Sequence, residues 1–167
     1  MAKTVFHGNE IDTCGELPAP GSKAPGFTLI SKDLKPVSLA DYAGRTVILN
    51  IFPSVDTGVC ATSVRTFNRE AAGRENVSVL CVSRDLPFAQ ARFCGAEGIE
   101  NVEVASDFQH GFGEAYGITM AGGPLAGLLA RGVVVVGPDG TVRHSELVAE
   151  VSSEPNYEAA LVAADAE

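Results

Sequence analysis

The run Thr46–Phe52 (TVILNIF) constrains the fold more than any other part of the chain. It is nearly continuous in apolar β-formers, the pattern of a strand covered on both faces and therefore central in a parallel sheet. A chain of 167 residues is long enough to bury such a strand in one domain spanning residues 1–167, and no second core is required. Just downstream, Asp56 or Thr57 offers an N-cap. Val64, Phe67 and Ala71 then recur three and four apart with Arg65, Arg69, Glu70 and Arg74 elsewhere, which predicts an amphipathic helix ending before Gly73. Val77–Ser83 (VSVLCVS) has the composition of a second buried strand, so strand, helix and strand form a right-handed βαβ unit.

The flanks supply the remaining elements. Residues 1–25 are rich in Gly and Pro around Thr4, Phe6, Ile11 and Leu17, which predicts a short hairpin or arm. Phe27–Ile30 and Pro36–Leu39 read as short strands around a Lys-Asp turn, followed by Leu39–Tyr42 and a stop at Gly44. Leu86–Ala96 reads as a second helix with Pro87 in its first turn, Phe88, Ala91 and Phe93 as candidates for burial, and Gly95 and Gly98 at its end. A short helix over Gln109–Tyr116, a hairpin of Gly132–Val136 and Thr141–Val148 around Pro138-Asp139-Gly140, and a helix over Pro155–Ala164 complete the chain. That order specifies an α/β sandwich: a mixed central sheet with helices on both faces.

Composition excludes several functions. A net charge of -9 opposes binding to phosphate backbones, which needs clustered Lys and Arg, so nucleic acid is not an expected partner. Met1–Ile11 has neither the apolar core nor the cleavage site of a secretory signal, and the expected location is the cytoplasm. The densest apolar patch, Pro124–Val136, is interrupted by Gly127, Arg131 and Gly132, so no membrane role is expected. His7, His110 and His144 lack metal-ligand spacing with the cysteines, and Gly111, Gly113 and Gly117 miss the dinucleotide spacing by one; neither metal nor cofactor is implied. Four cysteines (Cys14, Cys60, Cys81, Cys94) are too few for a disulfide scaffold, and any disulfide is expected to be transient.

Cys60 falls in the first turn of the helix that follows the central strand. There its sulfur faces unpaired backbone N–H groups and the positive end of the helix dipole, which favour thiolate. Thr57, three residues earlier, is one turn of chain from the sulfur, and Pro53 ends the strand ladder without a donor and shields the thiol from water. Position alone leaves open the alternative of a small buried apolar residue. Cys81, in the alternating Val77-Val79-Cys81 strand, is read as core, and Cys14 as an exposed bystander or alternative disulfide partner. Arg131, a lone cation among Leu128, Leu129, Ala130 and Val133–Val136, is costly to bury without a task or a partner. Phe52, Phe88, Phe93 and Pro124–Leu129 fit an apolar substrate pocket and core packing equally well.

The stretch Pro53-Ser54-x-Asp56-Thr57-x-Val59-Cys60 resembles the active-site motif of the peroxiredoxins, and the flanking sequence resembles their thiol peroxidase branch, the atypical two-cysteine type. The likeness runs through GxxxPGFTL (21–29), SRDLPFAQARFC (83–94), ASDF (105–108), PLAGLLARGVVVV (124–136) and EPNYEAAL (154–161). The resemblance implies a thioredoxin-like fold, a homodimer, and reduction of hydrogen peroxide and organic hydroperoxides with electrons from a thioredoxin. It further implies Cys60 as the peroxidatic cysteine, with Thr57 as its hydroxyl partner, Arg131 as its cationic partner and Pro53 as its shield, and Cys94 as the resolving cysteine. A disulfide needs Cα atoms about 4.4–6.8 Å apart, so cysteines in two separate helices imply local unwinding on oxidation.

Two other classes compete. A thioredoxin-like redox sensor or disulfide oxidoreductase usually works through CxxC, and only one cysteine stands in this loop. A non-enzymatic binding or structural domain predicts that replacing Cys60 alters stability and no reactivity, whereas a thiol at a helix N-terminus is expected to contribute little packing.

Overall fold

A computed structural model describes residues 1–166. The elements are β1 (Lys3–Phe6), β2 (Asn9–Asp12), β3 (Thr28–Ser31), β4 (Pro36–Ser38), a 3₁₀ turn (Leu39–Tyr42), β5 (Thr46–Ile51), α1 (Gly58–Ala71), β6 (Val77–Ser83), α2 (Pro87–Glu97), β7 (Glu103–Ser106), α3 (Phe112–Ala115), β8 (Gly132–Val136), β9 (Val142–Leu147) and α4 (Tyr157–Asp165). Seven strands form one mixed sheet in the order β4-β3-β7-β6-β5-β8-β9, and β1 and β2 pair separately as the N-terminal hairpin. The central run is as expected: β5 pairs with β6 in parallel and every residue of β5 is buried.

Alternation along β5 divides the interior. Val47, Leu49 and Ile51 join a core with Val134, Val136, Phe112, Tyr116 and Leu129 on one face. Ile48 and Phe52 join Val64 and Phe67 of α1, Phe93 and Cys94 of α2 and Ala160 of α4 on the other. Cys81 lies on that second face, fully buried as expected, and burial pushes its thiol up to about 12. The mixed sheet flanked by helices, with an N-terminal hairpin, is the α/β thioredoxin-like arrangement expected from the sequence.

Three details depart from expectation. Strand β7 was not expected; it pairs in parallel with β6 and antiparallel with β3. In α2, Phe88 is 68% exposed and Ala91 is exposed as well, while Gln90 is fully buried. Gln90 occupies the inner face because its amide donates to Ser83 Oγ (3.1 Å) and to the carbonyl of Ala105 (2.9 Å), so a polar group replaces the anticipated aromatic one. Gly95 lies inside α2, and only Gly98, in the left-handed conformation at φ 65°, ends it. No helix among the described residues is long and apolar enough to cross a membrane.

Candidate active site

The C-terminal ends of β5, β6 and β7 open on one edge of the sheet, and β8 runs antiparallel to β5, so the residue preceding β8 returns to that edge. This residue is Arg131. The register pairs Gly132 with Ile51, which sets Arg131 beside the loop leading to Cys60 although the two are 71 residues apart. Arg131 Nη2 donates to Cys60 Sγ at 3.0 Å and Nε to the carbonyl of Val151 at 2.7 Å. Nη1 is buried and has no hydrogen-bond partner among the described residues. Both residues are buried, Arg131 at 2% exposure and Cys60 at 0%. Sulfur and guanidinium therefore face each other with little water between them, where an opposite charge on the sulfur offsets much of the cost of burying the cation.

Thr57 caps α1: its Oγ1 accepts from Cys60 N–H (3.3 Å) and donates to the carbonyl of Ser54 (3.2 Å). Thr57 is thus one turn from the sulfur as expected, but its hydroxyl bonds to the Cys60 amide rather than to the sulfur. The reason is local. At the N-cap the hydroxyl satisfies one of the helix's unpaired amides, which competes with any contact to sulfur. The first turn is pinned from behind by Ser63, whose Oγ donates to the carbonyl of Cys60 (2.8 Å) and accepts from Asn50 Nδ2 (3.2 Å). The buried polar Asn50 in an otherwise apolar strand is the signal for this anchor. Cys60 is also better packed than expected for a helix-end thiol, since it sits among Phe52, Val55 and Val64.

Arg131 lines a cleft of about 470 Å³ together with Pro53, Thr57, Gly58, Val59, Leu125, Leu128, Val151 and Ser152. Cys60 itself is buried and does not line the cleft; Arg131 does, and joins the two. Gly58 and Val59 hold the first positions of α1, where amides lack intrahelical acceptors. Phe6 and His7 of the hairpin complete the rim, stacked at a centroid distance of 4.0 Å, and were not anticipated as site residues. The hairpin reaches the rim because the Val5 amide donates to the Ala149 carbonyl (2.9 Å) and the Val5 carbonyl accepts from the Val151 amide (2.8 Å). Of the apolar candidates, Leu125 and Leu128 line the cleft, Phe52 and Phe93 are core, and Phe88 faces outward.

Cys94 is not brought to the cleft. It is buried in α2 as a free thiol on the same face of the sheet as Cys60, and burial raises its pKa, an effect that Lys32 partly opposes. Cys14 is exposed.

A thiol at a helix N-terminus, paired with a buried arginine on a thioredoxin-like sheet, defines a thiol-based redox protein. Residues 19–161 match the Redoxin family model, and the chain belongs to that family. It is 62% identical over 163 residues to a thiol peroxidase of Mycobacterium tuberculosis, covering 98% of each chain. A thiol peroxidase of Corynebacterium glutamicum is 58% identical, with 98% of this chain and 99% of the relative covered. Among solved structures, a peroxiredoxin-like protein from Aquifex aeolicus superposes with a TM-score of 0.93 at 38% identity, over 98% of this chain and 96% of that one. A thiol peroxidase from Chromobacterium violaceum shares the fold with a TM-score of 0.85 at 19% identity, over 94% and 91%.

Proposed function

We propose that this thiol-dependent peroxidase acts through Cys60 as the peroxidatic cysteine and Cys94 as the resolving one. The observation that carries the assignment is the 3.0 Å pairing of Cys60 Sγ with a buried arginine whose Nη1 still has a donor to offer. The Cys60 thiolate attacks one oxygen of a hydroperoxide, the O–O bond breaks, and the departing oxygen takes a proton and leaves as water or an alcohol. Negative charge grows on that oxygen, so donors aimed at it lower the barrier. In this reading that task falls to Arg131 Nη1, which has no partner among the described residues, and to the amides of Gly58 and Val59 in the first turn of α1; Thr57 acts by holding the Cys60 amide and the turn, and Pro53 by walling the thiol from water.

The resulting sulfenic acid condenses with the Cys94 thiol, expelling water and leaving a Cys60–Cys94 disulfide. Thiol–disulfide exchange with a thioredoxin returns both thiols. Burial holds Cys94 protonated in the present conformation, so closure requires α2 to open locally, which exposes the thiol and makes it more acidic. The same reading includes a single domain, a homodimer and a cytoplasmic location; the apolar walls of the cleft favour organic hydroperoxides beside hydrogen peroxide.

The test is to treat reduced protein with one equivalent of cumene hydroperoxide, block the remaining thiols and map the modified cysteines by peptide mass. A Cys60–Cys94 disulfide with Cys14 and Cys81 still alkylated is the expected result. A Cys60–Cys14 disulfide removes Cys94 from the resolving role, and four unreacted thiols remove Cys60 from the peroxidatic one.

A further inference from the structure

One side chain joins the loop that leads to Cys60 with the entry to the Cys94 helix. Asp85, between β6 and α2, accepts the hydroxyl of Ser54 on Oδ1 (2.6 Å) and both the amide of Val55 (2.9 Å) and the hydroxyl of Ser83 (2.6 Å) on Oδ2. Ser83 Oγ in turn accepts from Gln90 Nε2 at 3.1 Å. Gln90 is fully buried and lies one helical turn before Cys94. Ser54 passes the connection forward, since its Oγ accepts the Asp56 amide (3.1 Å) and its carbonyl accepts the Thr57 hydroxyl that caps α1. An unbroken chain of hydrogen bonds thus runs from the cap of the Cys60 helix through a carboxylate to the Cys94 helix. A surface pair of Arg92 and Asp56 (2.9 Å) spans the same two segments, but both side chains are 63% exposed and contribute little.

We propose that Asp85 is a positioning residue, a latch that sets how the oxidised Cys60 divides between disulfide closure and over-oxidation. This rests on the assignment of Cys60 and Cys94 made above. While the latch holds, the loop keeps Cys60 against Arg131 and away from Cys94. The sulfenic acid then has two fates: release of the loop and condensation with the Cys94 thiol, losing water, or attack on a second hydroperoxide, which takes the sulfur to sulfinic acid and yields a second molecule of alcohol. Every bond that must break before closure adds to the barrier of the first fate and leaves the second unaffected.

Asp85→Asn keeps the shape and removes one acceptor. Turned towards the Val55 amide, its NH₂ sets donor against donor; turned towards the Ser54 hydroxyl, which can accept, it keeps the contacts but only as hydrogen bonds to a neutral group. Turning the three hydrogen bonds to the carboxylate into neutral ones, each roughly half as strong, corresponds to about a tenfold or larger change in an equilibrium governed by them. The ratio of the closure rate to the rate of Cys60 oxidation is therefore expected to rise about tenfold in Asp85→Asn and about threefold in Ser54→Ala, which loses a single bond to the latch. The hydroperoxide dose that converts half of Cys60 to sulfinic acid rises in parallel.

Both rates are read in the full-length protein by rapid quenching with a thiol-blocking reagent after mixing with cumene hydroperoxide, and the products are weighed by mass spectrometry. A change in the two rates by a common factor, or no change in the ratio in either variant, overturns the latch, because mere destabilisation slows both steps together. A native protein whose Cys60 takes up no oxygen overturns the underlying assignment instead, and the native control distinguishes the two failures. Should Asp85→Asn not fold, Ser54→Ala decides the question alone.

Discussion

Replacing Arg131 by Met tests the centre of the site. The guanidinium makes two buried hydrogen bonds, to Cys60 Sγ at 3.0 Å and to the Val151 carbonyl at 2.7 Å, and leaves its Nη1 nitrogen without a partner among the described residues. Met keeps an unbranched apolar stem, two bonds shorter than the arginine, and supplies no donor. Removal of a single donor aimed at developing negative charge in a water-poor site costs about 10²–10³ in rate, or roughly 3–4 kcal/mol. Arg131 also pairs with the attacking sulfur, so the upper end of that range applies to the rate of Cys60 oxidation. Stability moves less: the orphaned Val151 carbonyl costs about 1–3 kcal/mol, and removal of a buried cation offsets part of it. Arg131→Lys separates charge from geometry, since one ammonium cannot span both acceptors at the distances the planar fork achieves. It is expected to recover no more than about tenfold of the loss. The assay mixes reduced protein with cumene hydroperoxide, traps sulfenic acid with dimedone at timed intervals and takes the second-order rate constant from intact mass. An Arg131→Met rate within about threefold of native refutes the reasoning, because so small a loss is under 1 kcal/mol of barrier.

Thr57→Val removes the cap on the Cys60 amide and is expected to lower stability by about 1 kcal/mol in urea unfolding and to slow Cys60 oxidation, whereas Thr57→Ser retains both. Gly113→Ala introduces a methyl group against Thr119 Oγ1, at 2.6 Å from Leu129 Cδ2 and 2.7 Å from Arg84 Nη2, and is expected to cost about 1–3 kcal/mol, read as a lower midpoint in thermal unfolding. Burial raises the Cys81 thiol from 9.0 to about 12, so the folded state holds a proton that the unfolded state releases. The stability this represents is present below pH 9 and lost as pH rises towards 12, by about 4 kcal/mol at most. The difference in unfolding free energy between native protein and Cys81→Ala should shrink across that window.

How far the sequence discloses this molecule depends on which force dominates each element. β5, β6 and β8 are legible because burial on both faces leaves runs that are predominantly apolar, with Asn50 in β5 and two serines in β6 as the main exceptions. β7 is not, because its four residues begin with Glu103 and take their place from pairing with β6 and β3 rather than from their own pattern. α2 inverts the usual polarity: Gln90 faces in because two acceptors await its amide, and Phe88 faces out, so apolar spacing misassigns the buried side. The position of Cys60 at a helix N-terminus follows from local signals alone. Its link to Arg131 is a product of strand order, and the role of Phe6 and His7 at the rim follows from docking of the hairpin; no short-range pattern encodes either.

The sheet also carries a hazard. Four consecutive valines in β8 look alike to both faces of the sheet: Val134 and Val136 fill one core, Val133 and Val135 the other. A slip of one residue along β5 would exchange the faces at no hydrophobic penalty, so apolar patterning cannot choose the alignment. Gly132 chooses it. A methyl group in place of its hydrogen would stand 2.8 Å from both the Glu146 carbonyl oxygen and Ile118 Cδ1, so the strand locks only where its glycine enters. A slipped strand would carry Arg131 about 3.4 Å along the sheet, out of reach of the sulfur. Such a molecule would be folded but inert, and specific activity after refolding would count the fraction of chains that found the right alignment.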